Sequence, residues 1–544
     1  MILLALFIVT VLLCLIVKRV NYVQKLVDIP GYVSSYLGDG LLEVILLFRF
    51  VLGSSGRLQT MGQRVFEGVP LLFPSGILKG WLGPLPHVLI HSPEYAETIL
   101  SSSQVTTKGI QYSFVASWIG TGLLTSRGDK WKQNRKLLTP SFHFKILEQF
   151  VPVMSRNGHI LVNKLQAECL ANDGLIKDIR STILLCTLDV ISETAMGKKI
   201  HAQREPESEY VRAIHKVGDI VMNRVWKPWT YLDSLFDLMS DGRLYNQLIQ
   251  TIHTFTEDVI VSRKSEVERK LIAESYRTDG LSDPESEESL TRRREPFMDT
   301  LIREHLTRPA EFTDLNIREE VDTFMFEGHD TTGWGVIWTT YLLGLHPEEQ
   351  DRVQEEVDIL FQDGEPDRDL TLEELKLHLP FTEAVVKEAQ RLYPSVPLYN
   401  RVTETDIKLG PHQIPPGVQI IINAYAIHRD KNHWQDPERF IPDRFMGNQE
   451  APFCLHPILC GSQKLHRSEV CPPGGESSDC KDFSEIPHNF TGSTRQSPTH
   501  CFPHTEDGLA HSAEAAAAHL RSRARDSQIK DTVFFRHRYP LHID

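Results

Sequence analysis

TDLNIREEVDTFMFEGHDTTGWGVIWTTYLLGL, residues 313–345, is the stretch on which the fold reading turns. Thr313 has the side chain of an N-cap, acidic residues crowd the early turns where they complement the helix dipole, and apolar residues recur at Ile317, Val321, Phe324 and Met325. That pattern predicts one long helix. Its later half is apolar nearly all round, so the helix is expected to be buried. In the middle stands Glu327-Gly328-His329-Asp330-Thr331-Thr332, a polar cluster that a purely structural core helix would not choose. Glu327, Gly328, Thr331 and Thr332 share a face by the three-to-four spacing, and Gly328 is expected to leave room there for a flat ligand. An acid and an alcohol beside such a gap can relay protons to bound oxygen. The plainer alternative is a buried, kinked helix whose polar groups are satisfied internally.

Two segments downstream bear on that choice. In EAVVKEAQRLYPSVPLYNR, Glu388 and Arg391 lie one helical turn apart in a helix expected to end at Pro394. Alone, such a pair is ordinarily a solvated surface feature. Further on, Pro442-Asp443-Arg444-Phe445 offers a second guanidinium in a Pro-bounded loop. Upstream, GDKWKQNRKLLTPSFH holds Trp131 and Arg135 four residues apart, and Leu71 to His91 reads as short strands punctuated by Gly and Pro.

Taken in order, these motifs resemble the cytochrome P-450 superfamily over about residues 30–445. FMFEGHDTT, DPERFIPDRF and GKKIHAQREPESEYVRAI are similar to the fatty-acid omega-hydroxylase branch, family four, and within it the V subfamily. The resemblance implies a mainly α fold with a small β-rich lobe near the N-terminus and haem as cofactor. It implies Asp330 and Thr331 as the catalytic pair for proton delivery to oxygen, and Trp131, Arg135 and Arg401 as partners of the haem propionates. Glu327 would be the carboxylate that many members of the branch esterify to a haem methyl group. Glu388, Arg391 and Arg444 would form a structural triad beneath the haem. Implied partners are an NADPH-dependent reductase, a fatty-acid-like substrate and a membrane. His329 reads as a packing or pocket residue, since the family's iron ligand is a cysteine from elsewhere.

That cysteine is where the pattern breaks. The family's Phe-x-x-Gly-x-Arg-x-Cys-x-Gly loop should follow the meander, yet the text after Phe445 is MGNQEAPFCLHPILCGSQKLHRSEVCPPGG. Phe453 and Cys460 have the right separation, but His456 and Ile458 stand where Gly and Arg belong, and Gly461 comes one place early. Cys460 is therefore a candidate ligand by spacing only, and coincidence is the reading adopted. A thiolate without its backbone N–H donors would not have its basicity set. The fold is expected to be incomplete at the C-terminus, with 446–544 a divergent, irregular tail that suits an alternative exon, a read-through intron or a shifted frame. His500 and His504 have helical metal spacing, but Pro503 lies between them and no Cys-x-x-Cys pair exists, so a solvated tail is the simpler reading. A rival to the enzyme reading follows: a haem-deficient, membrane-anchored product with at most a binding role.

Composition and the N-terminus set the remaining bounds. The chain has 544 residues and a formal net charge of -14, which argues against a nucleic-acid partner. Its 41% hydrophobic and 24% charged content is that of a globular protein. Ile2 to Val17 is an apolar run broken only by Thr10 and Cys14 and followed by Lys18, Arg19 and Lys25. It spans roughly 24 Å as a helix, slightly short of a ~30 Å hydrocarbon core but enough for a thin bilayer with Lys18 and Arg19 snorkelling, so residues 1–20 are expected to anchor the chain in the endoplasmic reticulum membrane with the body cytosolic. A cleaved signal peptide fits less well, because no basic residue precedes the run and no small-residue cleavage site follows it. Asp279 to Glu295 reads as a surface loop. Trp226, Trp229, Tyr231, Leu232 and Phe236 fit a second, monotopic membrane contact or core packing equally.

Overall fold

The computed structural model describes residues 22–31 and 66–446, apart from 23, 67–68, 83–84, 103, 143, 173–175, 177, 226, 279–295 and 362–367. The expected anchor at 2–17, the loop at 279–295 and the tail with Cys460 lie outside the described residues. Among the described residues, no helix is long and apolar enough to cross a membrane.

The architecture is a helical body with a smaller sheet lobe. The helices used below are α1 (Pro93–Leu100), α2 (Gly128–Leu138), α3 (Val151–Ala171), α4 (Ile179–Ile191), α5 (Glu209–Val225), α6 (Asp233–Leu238) and α7 (Ser240–Thr278). They continue as α8 (Phe297–Thr307), α9 (Asp314–Leu345), α10 (Pro347–Leu360), α11 (Leu372–His378) and α12 (Pro380–Leu392). The strands expected between Leu71 and His91 are β1 (Ile77–Leu82) and β2 (Leu85–Ile90), preceded by a single helical turn at Val69–Leu72. They join β3 (Leu398–Val402) and β6 (Gln419–Asn423) in one sheet of order β1-β2-β6-β3, while β4 (Ile407–Leu409) and β5 (His412–Ile414) form a separate hairpin. β2 and β6 run parallel, with Val88 opposite Ile420 and Ile90 opposite Ile422. Such a pair is buried on both faces, which is why both strands read as nearly unbroken apolar runs.

Helix α9 is the spine of the body. Its N-terminus is closed by Thr313, whose backbone N–H donates to Asn316 Oδ1 at 2.8 Å. Ile317, Val321 and Met325 are buried in the largest core cluster, shared with α4, α5, α7 and α8, and each such burial stabilises by about 1.5–3 kcal/mol. The early acidic residues are not a solvated first turn, however. Glu320 and Asp322 are each only 1% exposed and act as tertiary hydrogen-bond acceptors.

The aromatic segment after α5 divides between its two expected readings. Phe236 is buried, with the Arg224 guanidinium 4.1 Å above its ring. Leu232, Leu235 and Leu238 fall at helical spacing on the other side of α6 and are 64%, 48% and 74% exposed.

Candidate active site

The polar turn of α9 faces three different neighbours. Glu327 is enclosed by protein yet keeps some accessible surface, as do Lys108, Tyr112, Arg135 and Arg401, so these five side chains line an internal recess. Burial raises the Glu327 carboxyl well above the ordinary carboxylate range, against the pull of Lys108 and Arg135. Burial lowers the Lys108 ammonium, Arg401 lowers it further, and Glu327 opposes both. Tyr112 is raised by burial while its hydroxyl hydrogen-bonds to Arg401. Burial also lowers Arg135, again with Glu327 opposing. Arg135 reaches the recess from α2, one turn after Trp131, and Arg401 from β3, where it bridges to Lys108 across the chain.

Gly328 does not face a gap. A Cβ there would lie 2.6 Å from both Cδ1 and Cγ1 of Ile191 on α4, so the expectation of room for a flat ligand at this glycine is overturned. The missing side chain lets α4 and α9 approach closely, a use that periodicity in one helix cannot separate from a ligand gap. Thr331 Oγ1 donates to Glu327 O at 2.5 Å, and the Thr331 carbonyl accepts from Ser395 Oγ at 2.8 Å. His329 is 4% exposed, and its ring stacks on His215 of α5 with centroids 6.2 Å apart. Burial lowers both imidazoles, His215 to about 4, while Asp330 raises His329 slightly. His329 thus serves packing, in line with its sequence reading.

Glu388, Arg391 and Arg444 meet in one network. Arg391 Nε and Nη2 donate to the two Glu388 oxygens at 2.7 and 2.8 Å, and both residues are fully buried. The remaining guanidinium N–H groups reach the carbonyls of His428 and Pro437, both at 2.8 Å, and of Arg439 at 3.1 Å. Glu388 Oε1 also accepts from Ile441 N at 2.9 Å and from Arg444 Nε at 3.3 Å. The network fastens α12 to the loop 436–444.

Lys108, Arg135 and Arg401 bring three basic side chains to a recess whose acid is Glu327, with burial disfavouring its charged form, so the lining is net basic. That donor set suits a dianion, and the two propionates of haem fit it. The axial side is different. The described cysteines are Cys169 on α3 and Cys186 on α4, both buried; the Cys186 thiol is raised by burial and donates to Asn157 O at 3.5 Å. Neither lines the recess, and the sequence of 446–544 lacks the cysteine-loop pattern.

A mainly helical body on one long spine helix, a sheet lobe and a recess lined by basic side chains agree with the haem monooxygenase class that the sequence motifs resemble. The profile of the family "Cytochrome P450" matches residues 73–459. "Cytochrome P450 4V2" of Homo sapiens is 40% identical over 397 residues, covering 72% of this chain and 73% of that protein. "Cytochrome P450 4c3" of Drosophila melanogaster is 36% identical over 461 residues, 82% of each. The chain belongs to the cytochrome P450 superfamily, in family four. Membership implies haem as cofactor, a reductase as electron source and lipophilic substrates.

Lys108 and Tyr112 were not foreseen in the sequence. They sit in TKGIQYSF, which has no periodic or motif signal, and their partner Arg401 arrives from a strand almost 300 positions later.

Proposed function

We propose that the recess is that of a fatty-acid omega-hydroxylase of the V-subfamily kind, and that its oxidative step is impaired in this chain. The observation that carries the first half is the set Lys108, Arg135 and Arg401 around Glu327. Arg135, Arg401 and Trp131 bind the propionates, with Lys108 as a third cation and Tyr112 oriented by Arg401. Glu327, whose carboxyl burial raises well above the ordinary carboxylate range, is the candidate for an ester link to the macrocycle. Thr331 offers a hydroxyl one turn from Glu327, and Asp330 an acid beside it, so the pair can hold and pass a proton. Glu388, Arg391 and Arg444 keep the wall beneath rigid. When bound through a cysteine thiolate, haem supplies insertion of one oxygen atom into an unactivated C–H bond, with electrons from NADPH through the reductase. Residues 1–20 anchor the chain in the endoplasmic reticulum membrane with the body on the cytosolic side.

The second half rests on the tail: His456 and Ile458 stand where the loop needs Gly and Arg, which makes Cys460 a poor thiolate ligand. The test is spectroscopic. The full chain, supplied with haem and reduced under carbon monoxide, is expected to show no red-shifted Soret band of a thiolate complex, and grafting a family-type cysteine loop after Phe445 is expected to create one. A full-intensity band that disappears in Cys460→Ser would overturn the impairment and make Cys460 the ligand. Absence of any haem uptake, even after grafting, would favour the haem-deficient binding protein instead.

A further inference from the structure

Helix α2 presents Arg135 to the recess, and its buried residues are Asn134 and Leu138. Leu138, with Leu137 half-buried beside it, packs α2 on the main core, and the second buried contact helps fix which residues face inward. That contact is polar. Asn134 Nδ2 donates to Glu320 Oε1 of α9 at 2.5 Å, and Glu320 Oε2 accepts the backbone N–H of Leu123 at 3.0 Å. The adjacent Glu319 accepts from Thr121 Oγ1 at 3.0 Å and from Lys130 Nζ at 3.0 Å. The turn before α2 closes tightly around these carboxylates, and a Cβ on Gly120, whose φ is +59°, would lie 2.3 Å from Glu319 Oε1.

Glu320 and Glu327 are two turns apart on one face of α9, about 10 Å along the axis. Their counterparts Asn134 and Arg135 are consecutive on α2. The two helices are therefore tied by two polar contacts, Asn134 to Glu320 and Lys130 to Glu319, and face each other at a further point through the opposite charges of Arg135 and Glu327. A rotation of α2 by one residue is about 100° and would carry Arg135 out of the recess.

We propose that Glu320 is a positioning residue for the recess: through Asn134 it sets the rotation of α2 and so holds Arg135 against Glu327. No recess residue touches Glu320 itself, and its action runs wholly through the strut. The groups that face it are Asn134, the Leu123 N–H, Lys130 and Glu319, and those that act on Glu327 are Lys108 and Arg135. The inference is tested in the haem-free chain, where Glu327 carries no ester link and titrates. Failure of haem uptake would count against the proposed function and leave this relationship standing.

The experiment follows the protonated-carboxyl infrared band that Glu327→Gln removes, across a pH titration of the full chain. Losing the strut has two consequences of opposite sign. If Arg135 swings away, the carboxylate loses a cation and the Glu327 midpoint rises, by on the order of one pH unit. If the variant merely loosens the fold, water enters and the midpoint falls toward the ordinary carboxylate value. Asn134→Ala is expected to raise the midpoint as Arg135→Gln does, and the double variant to add nothing further. Glu320→Gln keeps both hydrogen bonds once the Asn134 amide turns over, and is expected to leave the midpoint in place. An unchanged or lowered midpoint in Asn134→Ala would overturn the proposal, as would a shift in Glu320→Gln equal to that of Arg135→Gln.

Discussion

Arg391 holds both oxygens of Glu388 in a parallel two-bond fork while its other N–H groups fill three backbone carbonyls. All five donors are thereby used, and no other side chain has that planar set. Arg391→Lys is expected to be as damaging as Arg391→Ala, costing about 3–5 kcal/mol, because an ammonium cannot span the carboxylate and the carbonyls together. Yield and the urea midpoint of the two variants measure it. A lysine variant with the wild-type midpoint would show that charge alone suffices.

His428 lies against this network, its Nδ1 bonded to Arg391 O at 2.9 Å, and burial lowers its pKa to about 3. A lowered imidazole is neutral in the fold and takes up a proton on unfolding. Its contribution to stability is therefore present above pH 6.5 and is lost as pH falls from there toward 3. At pH 5 the loss amounts to about 2 kcal/mol. His428→Asn keeps a donor for Arg391 O but cannot titrate, so its urea midpoint should fall less than that of wild type between pH 7 and pH 5. Parallel curves for the two proteins would refute this.

Gly328 and Ile191 give a test of the helix contact that replaced the expected ligand gap. Gly328→Ala should destabilise by about 1–3 kcal/mol through overpacking. Ile191→Ala removes the two atoms that the new Cβ would meet at 2.6 Å. The double variant should recover part of the loss, a coupling that a thermodynamic cycle reads directly. Additive losses would mean that the methyl group finds space elsewhere.

Arg401 supplies the recess with a cation and Tyr112 with a hydrogen-bond partner. Arg401→Ala is expected to weaken haemin binding about 10- to 100-fold, the scale of one charged hydrogen bond. Tyr112→Phe should weaken it less. Equal affinity in all three proteins, measured by haemin titration, would move the anion site away from this recess.

Leu232, Leu235 and Leu238 form an exposed apolar row on α6. If residues 1–20 anchor the chain, the full protein should stay with membranes through alkaline carbonate extraction. A chain lacking 1–20 should bind vesicles more weakly, and replacing the three leucines with serine should release it. Retention by the leucine-free, anchor-free chain would assign the contact to another surface.

What could be read in the sequence was whatever a single element encodes by itself. The span of α9 follows from its own period and its Thr313 cap, and Glu388 with Arg391 follows from one-turn spacing. Whether that pair was buried or solvated depended on Arg444 and the loop 436–444, which spacing alone does not place beneath α12. The acids after Thr313 look like partners of the helix dipole, but Glu320 meets Asn134 across 186 positions of chain. Gly328 shows the same limit: periodicity tells which face it occupies, and only the fold supplies Ile191 as its neighbour.

The parallel register of β2 on β6 sets the order in which the chain can become a protein. As residues emerge from the ribosome, β1 and β2 pair early, but the free edge of β2 waits for residues 419–422, more than 300 positions later. Until then Leu89 and Ile90 present an apolar edge that another nascent chain could take. A nonsense codon between positions 91 and 419 therefore leaves a sticky hairpin for chaperones and proteases. One placed after Arg444 leaves the sheet and the Glu388 network with all their partners. Divergence of the tail is thus a change that the assembly of the rest can survive.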